Sequence, residues 1–316
     1  MNYNEFFFKN LFLVGVNLFF SCDFFNLKIG DFKLLPAPQN FQINGVSNLQ
    51  SEDILFFYNP NKKNLPPGSG FLGNIKPVYV KENAQLIFTI DPSIKIKDEG
   101  YILKILNEKI IIKAKDKAGL IYGLASLEQL MEDSEDQAVN LPLCEIKDYP
   151  LLTYRPIHLD LKHHRETLKY YYDLIDEIKK YKINGIIVEV EDKIKYKREP
   201  LVGSSDAFSI EDWQKLSKYA KERNISISPL VQGLGHASYV LKHELYKNLR
   251  DDLESDWAFN PLETKTYKVQ YNLYEDALEA FPYGKYLHVG GDEVKTTGRN
   301  SGKSALELQL MWLNKV

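Results

Sequence analysis

The hydrophobic pattern of the chain changes period near Pro150. Before it, residues 87–90, 101–106 and 109–114 are short aliphatic and β-branched runs, which predict strands. Asn107-Glu108 separates the last two and predicts a hairpin turn. Across residues 118–132, Leu120, Ile121, Leu124, Leu127, Leu130 and Met131 recur at helical spacing, and Asp116 stands at the N-cap position. The acidic stretch 133–137 predicts an exposed connector, and Pro66-Pro67-Gly68-Ser69-Gly70 a surface loop.

After Pro150 strands and helices alternate. Strands are predicted at 157–161, 186–190, 225–231 and 286–289. Helices are predicted at 168–181, 210–223, 266–281 and from Ala305 onward, and Ser209 with Asp212 resembles a capping box. Alternation of this kind implies parallel strands with crossover helices. The fold class is therefore α/β. A small α+β domain at 28–148 precedes a βα domain at 150–316. Four βα units fit there, whereas a closed eight-unit barrel needs about 250 residues. The alternatives are an open sheet and the first half of a (β/α)8 TIM barrel. The last helix runs to Val316 without a stop signal, which favours the half-barrel.

Composition narrows the function without naming it. Lys and Arg number 40 against 43 Asp and Glu, so no basic excess points to nucleic acid. Two cysteines cannot build a disulfide framework. No apolar run reaches the 18 or so residues of a transmembrane helix. Twenty Tyr, 17 Phe and 3 Trp suit a sugar-binding cleft and an ordinary core equally well.

Residues 11–20 form an apolar stretch of signal-peptide length, and Ser21-Cys22 follows it. A small residue before cysteine resembles a bacterial lipoprotein processing site. On that expectation residues 1–22 are a signal peptide and Cys22 becomes the lipidated N-terminus. The protein is then exported to the periplasm or cell surface, with the lipid as its only hold on a membrane. The alternative is a buried N-terminal strand with a free cysteine. Cys144 has no charged activator beside it in sequence and reads as structural.

The most informative segment is His288-Val289-Gly290-Gly291-Asp292-Glu293, which closes the fourth β-run. Strand carboxyl ends are where βα barrels carry their chemistry. The glycines allow unusual backbone angles and close ligand approach. Neighbours on a regular strand face opposite ways, so an irregular strand end is required if both acids are to reach one pocket. Two carboxylates crowded in a partly dry site should raise one pKa, as a general acid requires.

These residues resemble the active-site signature of glycoside hydrolase family 20, the β-N-acetylhexosaminidases. Further stretches carry the same resemblance. Glu99-Gly100-Tyr101 and Gly119-Leu120-Ile121-Tyr122-Gly123-Leu124 are similar to the family's non-catalytic N-terminal domain. Asp148-Tyr149-Pro150 through Tyr154-Arg155 is similar to the start of its barrel. Pro229-Leu230-Val231-Gln232-Gly233-Leu234-Gly235-His236 is similar to the third strand and its loop, and Trp257-Ala258-Phe259-Asn260-Pro261 to the next loop.

The resemblance implies an exo-acting, retaining, substrate-assisted glycosidase acting on an oligosaccharide or glycoconjugate, in which the sugar's own acetamido oxygen attacks the anomeric carbon. By motif position Glu293 is the general acid and then the base. Asp292 holds the acetamido N–H, and Asp192 with His236 supports the acid. His163, Arg155 and His288 are the candidate substrate contacts, with a structural role at the barrel entry as the alternative for Arg155. The chain departs from the family at two places. His163 stands where many members carry a hydroxyl-binding arginine, with Arg165 two residues on as a substitute. Glu189 stands where many carry a histidine.

No metal is expected, because adjacent His163 and His164 face opposite ways on a strand and no His-Glu-x-x-His helix occurs. No organic cofactor is implied. Two rivals remain: a glycosidase for a sugar without the acetamide, and a non-catalytic surface glycan-binding fragment. The half-barrel keeps the second alive, because its open sheet edges and missing later strands predict that this chain alone is inactive or poorly folded.

Overall fold

The computed structural model describes residues 30–60, 66 and 74–316. The predicted signal peptide with Cys22, and residues 67–70 of the predicted surface loop, lie outside the described residues.

The first half is one mixed sheet with a helix on one face. Its strands are β1 (Asn40–Val46), β2 (Phe56–Tyr58), β3 (Lys76–Pro77), β4 (Leu86–Ile90), β5 (Tyr101–Ile105), β6 (Ile110–Ala114) and β7 (Pro142–Asp148). They lie in the order β1-β7-β5-β6-β4-β2-β3. The β5–β6 hairpin turns at Asn107-Glu108 as predicted, with Leu106 N donating to Lys109 O at 2.8 Å. Helix α1 (Lys117–Gln137) starts at the Asp116 cap, whose carboxylate accepts from Gly119 N at 2.8 Å. Its Leu120, Leu124, Leu127 and Leu130 pack on Phe88, Leu103, Ile105 and Ile112.

The acidic connector expected at 133–137 is instead the last turn of α1. Gln129, Asp133 and Gln137, four residues apart on one face, accept from the backbone N–H groups of Leu35, Lys33 and Asp31 at 2.8, 3.0 and 2.8 Å. The stretch is largely exposed as expected, but it is helical, and its Asp133 and Gln137 with Gln129 also hold the backbone of residues 31–35.

The second half is a three-stranded parallel sheet, β8 (Pro156–Asp160), β9 (Gly185–Glu189) and β10 (Ser226–Leu230), in the order β10-β9-β8. Helix α2 (Leu168–Lys180) follows β8 and α3 (Ile210–Glu222) follows β9, with the Ser209–Asp212 capping box in place. A short turn α4 (Ser238–Leu241) and helix α5 (Thr264–Ala280) follow β10, and α6 (Ala305–Leu313) comes last. Alternate strand residues Ile157, Leu159, Ile186, Val188, Ile227 and Val231 pack against Tyr171, Ile175, Trp213, Leu216, Leu273 and Ala277 of the helices. The other set, His158, Asp160, Glu189, Ser228 and Leu230, faces the inner side of the curved sheet.

Two expectations are corrected. The strand predicted at 286–289 is a single parallel bridge, Leu230↔His288, joined by His288 N to Pro229 O at 3.0 Å and His288 O to Val231 N at 2.9 Å. It pairs on one side only among the described residues, and Gly290-Gly291 breaks the extended backbone immediately after it. Helix α6 does not run to Val316, because it ends at Leu313, where the Asn314 N–H closes onto Leu310 and Trp312 carbonyls.

The two halves are pinned by buried polar groups. Lys182 Nζ lies 2.7 Å from Asp148 Oδ2 and 3.1 Å from Tyr101 Oη. Burial pushes the Lys182 ammonium down and the Tyr101 phenol up.

Candidate active site

Residues 290–293 form the turn at the carboxyl end of the fourth run. Gly290, Gly291 and Glu293 all take positive φ, at 69°, 98° and 47°. A Cβ on Gly290 would come within 1.9 Å of Gln232 Oε1, and one on Gly291 within 2.8 Å of the Trp312 ring. Only glycine meets both the angle and the space. The irregular backbone brings two sequence neighbours to one partner. His236 Nε2, on the loop after β10, lies 3.4 Å from Asp292 Oδ2 and 3.4 Å from Glu293 Oε2. The His236 side chain is 13% exposed and its ring packs on Trp257, with centroids 4.4 Å apart.

The turn is held from beneath by α6. Trp312 is fully buried under Gly291 and Gly233, and its indole N–H donates to Gln270 Oε1 at 2.9 Å. Gln270 Nε2 in turn donates to Gly233 O at 2.7 Å, and Gln309 Nε2 to Gly291 O at 3.1 Å. The loop that follows is tied by Asp251, which accepts from Thr297 N, Thr297 Oγ1 and Gly298 N.

The partly dry setting expected for the acid pair is not present. Asp292 and Glu293 side chains are 59% and 77% exposed, because no described element covers their outer side. The expected Asp192–His236 pair is also not formed. Asp192 is buried and taken by two lysines, Lys193 at 2.7 Å and Lys242 at 3.1 Å. His236 thus meets the acids with no carboxylate behind it among the described residues.

Arg155 is not at the site. Its guanidinium bonds Glu99 at 2.9 Å, Tyr122 Oη at 2.8 Å and the Lys182 and Leu152 carbonyls, at the junction between the halves. It immediately precedes β8, and the chemistry lies at the carboxyl ends of the strands, so it belongs to the opposite end of the sheet. Arg165 does not replace the missing arginine. It pairs with Asp206 at 3.2 Å and stacks 4.1 Å over the Phe208 ring, outside the strands. His163 is exposed on the loop after β8, and no contact joins it to the acids. His288 faces the inner side, and its Nδ1 accepts from Gly290 N at 3.1 Å, so it also braces the turn. Cys144 is buried in β7 with its thiol pushed up to about 12 by burial, which fits an inert structural residue.

Below the acids lies a polar floor built around Glu189. Glu189, only 2% exposed, accepts from Gln232 Nε2 at 2.8 Å and lies 3.1 Å from Lys162 Nζ and 3.2 Å from His158 Nε2. Burial and the Glu189 charge push the neighbouring Glu191 carboxyl up to about 8. Both Glu191 and Asp192 are buried. Period-two alternation is the sequence signal for Glu189: Ile186, Val188 and Val190 are apolar and face the helices, which sends Glu189 inward, whereas Glu191 lies past the strand end on a left-handed backbone.

The chain matches two family descriptions, Glycosyl hydrolase family 20, domain 2, over residues 32–149 and Glycosyl hydrolase family 20, catalytic domain, over residues 152–310. It is 28% identical over 162 residues to Hexosaminidase D of Bos taurus, covering 51% of this chain and 45% of that one. It is 27% identical over 236 residues to Beta-hexosaminidase of Porphyromonas gingivalis, covering 65% of this chain and 30% of that one. The chain thus spans less than half the length of these curated relatives. Among solved structures, the β-N-acetylhexosaminidase of Bacteroides fragilis superposes with a TM-score of 0.71 at 24% identity, over 90% of this chain and 63% of that one. The GH20 β-N-acetylhexosaminidase of Streptomyces coelicolor gives 0.73 at 18% identity, over 89% and 62%. At such identity the likeness is one of fold, and it identifies the curved sheet as part of a TIM barrel.

Proposed function

The chain belongs to glycosyl hydrolase family 20, and on that premise we propose that the protein carrying it is an exo-acting β-N-acetylhexosaminidase. It removes terminal N-acetylglucosamine or N-acetylgalactosamine from glycans with retention of configuration. The observation that carries this is the Asp292–Glu293 pair on a two-glycine turn at a strand end, both within 3.4 Å of His236 Nε2. In the proposed mechanism the acetamido oxygen of the substrate attacks C1. Glu293 gives its proton to the departing glycosidic oxygen. Asp292 accepts a hydrogen bond from the acetamido N–H and stabilises the positive charge of the cyclic intermediate, gaining strength as that charge develops. Glu293 then takes a proton from the water that opens the ring. His236, which faces both acids, orients the pair.

The test is turnover of aryl N-acetyl-β-glucosaminides by the full-length protein. Glu293→Gln should lose about 10²–10⁴ in kcat, the usual span for a general acid. A rate near wild type would remove Glu293 from that role. Asp292→Asn should lose activity too, and lose less on aryl glycosides without the acetamide. A wild-type protein that prefers those glycosides would favour the non-acetamido alternative.

Export and anchoring through Cys22 form part of the same proposal, supported by the apolar run that ends in Ser21-Cys22. Metabolic labelling with a radioactive fatty acid should mark the wild type and not Cys22→Ala. Equal labelling of both would overturn it.

A further inference from the structure

Inward-facing residues of neighbouring strands lie in tiers. The ladder aligns Asp160, Glu189, Leu230 and His288 in one tier. Lys162, Glu191, Gln232 and Gly290 come two residues later, just past the strand ends, one tier nearer Asp292 and Glu293. Bonds from Leu161 N to Glu189 O and from Val190 N to Leu230 O, each 3.1 Å, carry the register up to them.

Within this upper tier Glu191 is unusual in three ways. It is 9% exposed, it takes a left-handed φ of 37° without being glycine, and no hydrogen bond reaches its carboxyl from the described residues. Its carbonyl is fixed by Tyr196 Oη at 2.8 Å, so the backbone is held in that conformation. The charged and titratable groups facing it are Glu189 and Asp192 from its own strand end, Asp160 and Lys162 from the β8 side, and the Tyr196 and Tyr239 hydroxyls. The side chain is thus mostly buried while its carboxyl, which no donor among the described residues engages, opens toward the site; such a group on a left-handed backbone costs stability, and such features concentrate where a ligand completes them.

Glu189 differs, because Lys162, His158 and Gln232 already surround it. Lys162 has three N–H donors, and Glu189 at 3.1 Å and Asp160 at 3.4 Å engage two of them. Its side chain keeps 20% exposure, and with Arg165 turned outward it is the cation of this tier. Burial alone would lower the Lys162 ammonium, but Glu189 and Asp160 outweigh it and hold it above its ordinary value.

We propose that Glu191, with Lys162 beside it, is a sugar-binding and specificity-determining residue that grips ring hydroxyls of the terminal sugar from the tier beneath Asp292 and Glu293. The inference rests on the glycosidase reading of this same site. Below about pH 8 Glu191 keeps its proton, so it offers both an O–H donor and an acceptor to a hydroxyl. Lys162 adds a charged donor. A neutral acid beside an ammonium suits a neutral polyol and would not favour an anionic sugar as two cations would.

The experiment compares Glu191→Ala and Glu191→Gln with wild type in the full-length protein, on an aryl N-acetyl-β-glucosaminide, its 3-deoxy, 4-deoxy and 6-deoxy analogues, and its 4-epimer. Glu191→Ala should lose about 10²–10³ in kcat/KM on the parent, mostly through KM, because a site built around a hydroxyl is left unpaired. On the deoxy analogue that lacks the gripped hydroxyl, the loss should shrink to about threefold or less. Glutamine keeps a donor and an acceptor and does not ionise. Glu191→Gln should therefore recover to within about tenfold of wild type, and its kcat/KM should persist to higher pH. A purely structural role predicts otherwise, namely equal losses on every analogue and an unmoved alkaline limb. Either result, with wild type active, overturns the proposal alone. A wild type inactive on all N-acetylhexosaminides overturns the glycosidase reading and this inference with it.

Discussion

At the scale of single residues, Gly290 and Gly291 let two adjacent carboxylates converge on His236. On a regular strand they would diverge. Gly290→Ala should be severe for two separate reasons. Its Cβ would strike Gln232 Oε1, which Glu189 holds in place, and φ near +69° is strained for any residue with a side chain. A cost of about 1–3 kcal/mol is expected by denaturant titration, with loss of turnover. A fully active Gly290→Ala protein would mean that the turn is softer than its geometry implies. Glu191 supplies a pH signature as well. Its folded pKa is raised from 4.5 to about 8, so between those values the folded chain keeps a proton that the unfolded chain releases. This penalty is absent below the lower value, grows as pH rises, and is complete above about 8. Stability should therefore fall with pH in that window, by no more than about 1.4 kcal/mol per unit. Glu191→Gln should flatten the slope in urea melts, and an unchanged slope would place the titration elsewhere.

At the scale of elements, α6 decides whether the catalytic turn has a floor. Its pattern in sequence is that of an ordinary apolar helix. Its role follows from Trp312, which is fully buried against Gly233 and Gly291 and bonded to Gln270. Trp312→Ala should cost about 3–5 kcal/mol, as for other large-to-small core changes. Activity should fall further than the loss of folded protein accounts for, because the turn loses its support. Activity per folded molecule equal to wild type would show that the turn stands without the helix. Helix α1 teaches a related point. Its last turn looked like an acidic connector, because local propensity cannot register that Gln129, Asp133 and Gln137 bond the backbone of residues 31–35.

At the scale of the whole molecule, the two halves meet through Lys182, Asp148, Tyr101 and Arg155. Lys182 and Asp148 side chains are 6% and 9% exposed. Lys182→Met leaves a buried carboxylate without its cation and should destabilise by about 3–5 kcal/mol, whereas adding Asp148→Leu should recover much of the loss. Thermal melts of the single and double variants decide between this and a neutral surface contact. The sequence by itself determined the alternation of strands and helices after Pro150, the α1 amphipathic face and the acid pair at a strand end. Those depend on periodicity and on neighbours within a few residues, which the chain carries locally. The tertiary structure alone decided which distant groups met. It brought Lys242 to Asp192, moved Arg155 to the junction, turned Arg165 onto Phe208 and left the Glu191 carboxyl with no hydrogen bond from the described residues. Burial and pairing are relations between segments far apart in the chain, and no local pattern encodes them.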